Sequence, residues 1–250
     1  MTPLHLIQIE LDGDALRRWA ATTGLGMADL GYTVHALTRA AYGDLGPQPF
    51  RVTPRGRTRD FKLLGYAPAP VGDLIAAAAL GAEPQVAACL RQVDGRPMPE
   101  DWRLGLVLDF ETRVCPIRRL TGDTGRAEID AKVAEVRRAE REGRAPLTPE
   151  ATYVAWLAER LEPRGAALQA AEVIQRTGLM SRRKGGGGAG EGGRMTRTHE
   201  KPDVTLRGRL SITDSAAFAD LLRRGVGRHK AFGFGMLLLR PPGPGFLTGD

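Results

Sequence analysis

Tyr32, His35 and Arg39 follow one another at intervals of three and four residues, the spacing that gathers side chains on one face of an α-helix. A phenol, an imidazole and a guanidinium so gathered could move a proton beside an anion. Histidine titrates near neutral pH, with an unperturbed pKa of about 6.5, and a guanidinium matches phosphate oxygens. The helix that must carry them covers residues 29–42, with Asp29 as its N-cap. Leu30, Val34, Leu37 and Ala41 supply an apolar stripe, and Tyr32, His35 and Arg39 fall together on the opposite face. A histidine kept for packing belongs on the stripe, which His35 avoids. A solvated polar face and a proton-transfer site both satisfy this pattern.

A second stretch with chemical capacity lies near the end, where Gly225, Gly227, Gly233 and Gly235 enclose Arg228, His229 and Lys230. Glycine admits positive φ and close approach of a ligand, and successive N–H groups in such a loop can form an anion-binding concavity. The dinucleotide fingerprint fails, because Gly225-x-Gly227 follows a helical segment, precedes a β-like run and has the wrong spacing. The P-loop fails too, since no Gly-Lys-Ser or Gly-Lys-Thr occurs. A plain turn and a phosphate cradle remain.

The 250 residues suffice for one large domain or two small ones, and 36 Lys+Arg against 29 Asp+Glu leave a formal charge of +7. That excess favours polyanionic partners. Two cysteines, Cys89 and Cys115, support neither a disulfide framework nor a thiolate metal site, and the four histidines are scattered. We therefore expect no metal and no cofactor. The first residues contain Glu10 and no long apolar core, so the chain reads as cytoplasmic, without a membrane segment.

The elements that must position these groups can be read in order. Residues 4–11 predict a strand, 61–64 another, and 73–80 a short Ala-rich helix, while 83–101 reads as mixed helix and loop. Residues 102–120 predict one long strand or two broken ones. Strand, helix, strands, helix, strand is the order of a ferredoxin-like unit. Residues 130–142 predict a charged, solvated connecting helix. Thr148 and Pro149 open another helix with Tyr153, Val154, Leu157 and Leu161 inward, and 166–177 suits helix or strand. Seven glycines in residues 185–193 predict a flexible loop. The alternation over 204–212 is the clearest strand, with Arg207 and Arg209 on its polar face, and Asp214 caps a helix that uses Phe218, Leu221 and Leu222. A second, smaller α+β unit follows.

The Tyr32-x-x-His35 helix, the Tyr153 to Leu157 helix and the Gly225 to Gly235 loop together resemble the CasE family of CRISPR-associated endoribonucleases, subunits of type I-E Cascade within the RAMP superfamily. The resemblance extends over essentially the whole chain and includes Leu206 to Leu210 and Pro116 to Arg119. It implies an α+β protein of two tandem ferredoxin-like, RRM-like domains with a C-terminal glycine-rich loop. We expect residues 1–122 to form the first, 123–147 a helical connector and 148–250 the second. It implies metal-independent cleavage of CRISPR repeat RNA at the base of its hairpin, retention of that hairpin, and assembly with other Cascade subunits. Tyr32 and His35 match the family's catalytic pair. Expected RNA-binding residues are Arg39, Arg118, Arg119, Arg182, Arg183, Lys184, Arg207, Arg209, Gly225, Gly227, Arg228, His229, Lys230, Gly233 and Gly235. The tract at 185–193 departs from the shorter basic loops of relatives, and no third catalytic cation aligns. A non-catalytic RNA-binding scaffold of the same superfamily is the rival reading.

The chemistry also stands without the resemblance. RNA carries its own nucleophile, a 2′-hydroxyl beside the scissile phosphate. An enzyme need only align it, take its proton, protonate the leaving 5′-oxygen and stabilise the charge on phosphorus.

Overall fold

In the computed structural model, which describes residues 3–122, 125–182 and 198–243, the chain builds two four-stranded sheets and a two-stranded hairpin. The first sheet contains β1 (His5–Leu11), β2 (Phe50–Pro54), β3 (Phe61–Ala67) and β4 (Leu90–Pro97). Its helices are α1 (Gly13–Thr22), α2 (Leu30–Tyr42), α3 (Val71–Gly81) and the short α4 (Pro84–Ala87). The second sheet starts at β5 (Val107–Val114). A hairpin of β6 (Ile117–Gly122) and β7 (Gly125–Asp130) follows, then α5 (Ala131–Glu142) and α6 (Pro149–Leu161). The long strands β8 (Ala166–Arg182) and β9 (Thr198–Ile212), helix α7 (Ser215–Arg224) and β10 (Leu237–Arg240) complete the unit.

The strand orders are β2-β3-β1-β4 and β10-β5-β9-β8, with every pairing antiparallel. With the hairpin and α5 set aside, both sheets put their strands in the order second, third, first, fourth, counted from opposite edges. The ferredoxin-like arrangement is thus present twice, as expected.

Alternation along β1 explains how the halves join. Ile7, Ile9 and Leu11 point into the first core with Leu16, Trp19, Val34 and Leu37, whereas Leu4 and Leu6 pack against the second core. Tyr66 on β3 also crosses, donating its hydroxyl to the Leu237 carbonyl at 2.8 Å while its ring is buried in the second core. Arg51 of β2 pairs with Glu111 of β5, and Arg240 reaches the same carboxylate at 3.7 Å.

The structure corrects two expectations, refines a third and decides a fourth that the sequence left open. Residues 83–101, read as helix and loop, contain β4 paired to β1. Its largely exposed side chains show no apolar alternation, so its register comes from the partner strand. The strand at 107–114, expected to close the first unit, pairs with β9 and β10 because Leu108, Phe110 and Val114 face the second core. Sheet membership therefore changes between Pro97 and Val107. Residues 166–177 are strand, carried through two register shifts by the ladder to β9. Helix α5 is solvated on most of its surface but buries one face: Ala131, Ala134 and Ala139 are buried, and buried Glu135 accepts from Arg144 at 2.7 Å. The glycine tract at 185–193 lies outside the described residues.

Gly31 shows how closely the two halves meet. A Cβ placed there would lie 2.0 Å from the Phe232 carbonyl oxygen. Gly31→Ala is expected to lower unfolding stability by about 1–3 kcal/mol, the range for forced overpacking. Gly72→Ala, where nothing lies within 4 Å, is expected to leave stability unchanged or slightly raised. Denaturant unfolding of the two variants beside the parent protein checks both.

Candidate active site

Helix α2 begins at Asp29, whose side chain accepts from the Tyr32 amide at 3.0 Å, and ends at Gly43 with φ 58°. Val34, Leu37 and Ala41 are buried as the stripe requires. The opposite face carries Tyr32, exposed, His35, half-buried, and Arg39, exposed. His35 and Arg39 open onto a cleft of about 580 Å³. Its other walls include Gly46, Pro47, Gln48 and Tyr66 from the first unit, and Arg223, Arg224 and Lys230 from the second. Burial, and secondarily the Arg39 guanidinium, hold the imidazole below its ordinary pKa of 6.5. Four cations against the single carboxylate of Asp44 give the cleft the chemistry to receive an anion.

The glycine loop forms the far wall. Helix α7 ends at Gly225, φ 68°, whose carbonyl accepts from Arg164 at 2.9 Å. Val226 and Gly235 close the loop through a 2.8 Å hydrogen bond, and Gly235 donates to the Arg113 carbonyl at 2.7 Å. A Cβ on Gly235 would come within 2.3 Å of the Val226 oxygen, and one on Gly227 within 2.8 Å of the buried Trp156 ring. Arg113 is held by Asp203 through bonds of 2.8 and 2.7 Å, and its guanidinium lies 4.5 Å from the Phe234 ring centre.

The amides of Gly225, Val226, Phe232, Gly233 and Gly235 all donate to carbonyls of the protein. These bonds close the two ends of the loop, beside its four glycines. Those glycines serve backbone geometry: φ is 68°, 72°, 80° and 82° at Gly225, Gly227, Gly233 and Gly235. His229 also takes positive φ, 60°, just before a turn at Lys230–Phe232.

Tyr32 stands outside the residues lining the cleft. Its ring stacks on Phe232 with centroids 5.5 Å apart and planes inclined by 21°. His229 meets the same phenylalanine edge-on at 5.8 Å. The two nitrogens of His229 lie near Lys201 at 3.3 Å and Glu128 at 3.4 Å. Burial and then Lys201 depress its pKa. Arg228 pairs with Glu128 at 3.2 Å.

The remaining expected residues are dispersed. Arg118 is engaged by Glu159 at 2.6 and 2.9 Å, and Arg119 is exposed on β6. Arg207 pairs with Glu172, and Arg209 grips buried Asp109 at 2.6 and 3.2 Å while also donating to the Gly243 carbonyl. Those two arginines brace the second sheet. The Arg182 side chain, Arg183 and Lys184 lie outside the described residues. Arg223 and Arg224 are not among the residues expected from sequence, although both line the His35 cleft. The available signal is their place in the last helical turn, directly before Gly225. Phe232, the partner of Tyr32, is signalled only by its place between paired glycines.

Two ferredoxin-like units enclosing a helix-borne histidine in a cationic cleft define the class of protein. The chain belongs to the CasE family of CRISPR-associated proteins: a family model described as CRISPR associated protein matches residues 4–241. The CRISPR system Cascade subunit CasE of Escherichia coli K12 is 30% identical over 139 residues, 56% of this chain. The CRISPR-associated endoribonuclease Cse3 of Thermus thermophilus is 32% identical over 152 residues, 58% of this chain. The matched segments span 60% and 61% of those two relatives' own lengths. Among solved structures, Thermus thermophilus Cse3 bound to an RNA representing a pre-cleavage complex superposes with a TM-score of 0.63 at 24% identity. That match covers 96% of this chain and all of the other. Cas6e from Escherichia coli K-12 superposes with a TM-score of 0.58 at 19% identity, covering 95% of this chain and all of the other.

The His35 resonances are expected to titrate in NMR with a midpoint below 6.5, and Arg39→Ala to move that midpoint upward without reaching 6.5, since burial is the larger cause. The sign for stability follows. Because the folded pKa is the lower one, the unfolded chain takes up the proton first as pH falls. His35 therefore subtracts stability progressively from about pH 6.5 down to its folded pKa, and adds nothing above that window.

Proposed function

We propose that this chain is a metal-independent endoribonuclease that cleaves CRISPR repeat RNA at the base of its hairpin. It then keeps the product hairpin as a subunit of a cytoplasmic type I-E Cascade complex. The observation that carries the reading is a half-buried, depressed-pKa histidine placed among four cations where the two units meet. The names of the relatives supply the substrate: one is a Cascade subunit, another a CRISPR endoribonuclease.

In the proposed reaction the phosphate enters the cleft against Arg39, Arg223, Arg224 and Lys230. His35, neutral near pH 7, accepts the proton of the 2′-hydroxyl as its oxygen attacks phosphorus. The fixed cations offset the charge that grows on the non-bridging oxygens. Tyr32, held against Phe232, assists from the neighbouring turn. The products are a 2′,3′-cyclic phosphate and a 5′-hydroxyl. A-form RNA hides its base edges in a deep, narrow major groove, so the stem is bound through shape and phosphates.

Incubation of purified protein with its labelled repeat hairpin in excess chelator tests this directly. Cleavage should persist, and His35→Ala should abolish it while leaving binding of the hairpin intact. Wild-type cleavage by His35→Ala, or loss of activity on chelation, overturns the mechanism. An intact hairpin after incubation with the parent protein favours the scaffold reading.

Salt dependence sorts the arginines. Arg224→Ala should reduce the slope of log affinity against log salt by about one unit, as expected for one lost phosphate contact. Arg209→Ala should lower the unfolding midpoint and leave that slope unchanged, because its guanidinium is already committed to Asp109. Binding isotherms across a series of salt concentrations distinguish the two outcomes.

A further inference from the structure

We propose that Lys230 is the general acid of this cleft, giving a proton to the 5′-oxygen leaving group while His35 takes one from the 2′-hydroxyl. The assignment rests on the cleavage reaction proposed above.

Four cations line the cleft, and three are guanidinium groups, which do not release a proton in proteins. Only Lys230 combines positive charge with the ability to donate. The surroundings support this division of labour. Arg39 is paired with Asp44 and Arg224 with Asp220, and Arg223 has contacts of its own. Among the described residues Lys230 makes no salt bridge. It is half-buried, and burial, followed by the nearby Arg164 and Arg224 charges, lowers its pKa, with Asp220 opposing in part. Each of the lowering influences loosens its hold on the proton.

Placement agrees with the stereochemistry of the step. In-line displacement at phosphorus puts the entering and leaving oxygens roughly opposite each other, so base and acid must approach from different sides. His35 belongs to the wall built by α2 of the first unit, and Lys230 to the wall built by the loop of the second. The Lys230 backbone is fixed between two residues of positive φ, His229 at 60° and Gly233 at 80°. The turn it opens presses the Phe232 carbonyl against Gly31 of the helix that carries His35. Tyr32, the other hydroxyl-bearing candidate on α2, faces Phe232 and is not among the cleft-lining residues.

The step balances. The 2′-oxygen forms its bond to phosphorus as the imidazole accepts the 2′-proton. The bond from phosphorus to the 5′-oxygen breaks as a proton moves from Lys230 Nζ to that oxygen. A cyclic phosphate and a 5′-hydroxyl leave, and proton exchange with solvent returns His35 to neutral and Lys230 to its charged form.

A bridging sulfur substitution tests the role. On ordinary repeat RNA, Lys230→Ala is expected to slow single-turnover cleavage by about 10²–10⁴-fold, the range for a positioned acid or base. When the scissile 5′-oxygen is replaced by sulfur, a leaving group that departs without protonation, the variant should cleave at nearly the wild-type rate. Lys230→Arg, which keeps the charge, should bind 2′-deoxy repeat RNA as tightly as wild type yet remain slow on the oxygen substrate. Equal loss of rate on both substrates, or full rate for Lys230→Arg on ordinary RNA, overturns the assignment. His35→Ala, slow on both substrates, is the reference for the underlying reaction. If that variant cleaves normally, the reaction itself is wrong, whatever Lys230→Ala does.

Discussion

The contact on which this structure turns is the one between Gly31 and the Phe232 carbonyl. At that point α2 of the first unit touches the loop of the second with no room for a methyl group. The helix brings His35 and Arg39, and the loop brings Lys230. Each half of the contact is itself constrained. Asp29 and Gly43 bound the helix, whereas the loop is seated on Trp156 through Gly227 and anchored to β5 through the Gly235 amide. Fixing these two supports places the two walls of the cleft.

Charge is divided just as clearly. Arginines of the second sheet, Arg113 and Arg209, face Asp203 and Asp109 in two-pronged pairs that leave little for a ligand. Around the cleft the balance reverses, with Arg39, Arg223, Arg224 and Lys230 against Asp44. The formal charge of +7 is therefore a poor guide to where an anion would sit. What matters is whether the carboxylate that a cation has met is buried, as Asp109 and Asp203 are, or open to competition from a phosphate, as Asp44 and Asp220 are.

Much of the fold could be read from the chain because its cores repeat at the periods of helix and strand. The stripe on α2, the alternation in β9 and the caps at Asp29, Thr148 and Asp214 all appear where local pattern places them. Legibility failed where structure is imposed from outside. The sequence of β4 alternates nothing and is a strand because β1 lies beside it. The strand β5 reads as the end of one unit, since its apolar residues do not declare which core they enter. The site follows the same rule. His35 and Arg39 share a helix face and are evident together. By contrast, the convergence of Arg223, Arg224 and Lys230 on them depends on how two units pack, across almost two hundred residues of chain. Arg209 reads as a surface cation because nothing near it in sequence announces Asp109 on the neighbouring strand.

The hydrogen bonds that close the ends of the loop have an energetic corollary. Bonds at Gly225, Val226, Phe232, Gly233 and Gly235 hold Lys230 near the Arg164 and Arg224 charges, so their mutual repulsion belongs to the folded protein itself. Folding must carry that repulsion, and the rest of the fold must outweigh it. The two buried cores joined through Tyr66 and Leu237 are then more than a scaffold: their cohesion sets how much unbalanced charge the cleft can hold. Selection for a more stable chain and selection for a more strongly charged cleft pull in opposite directions at the same few positions.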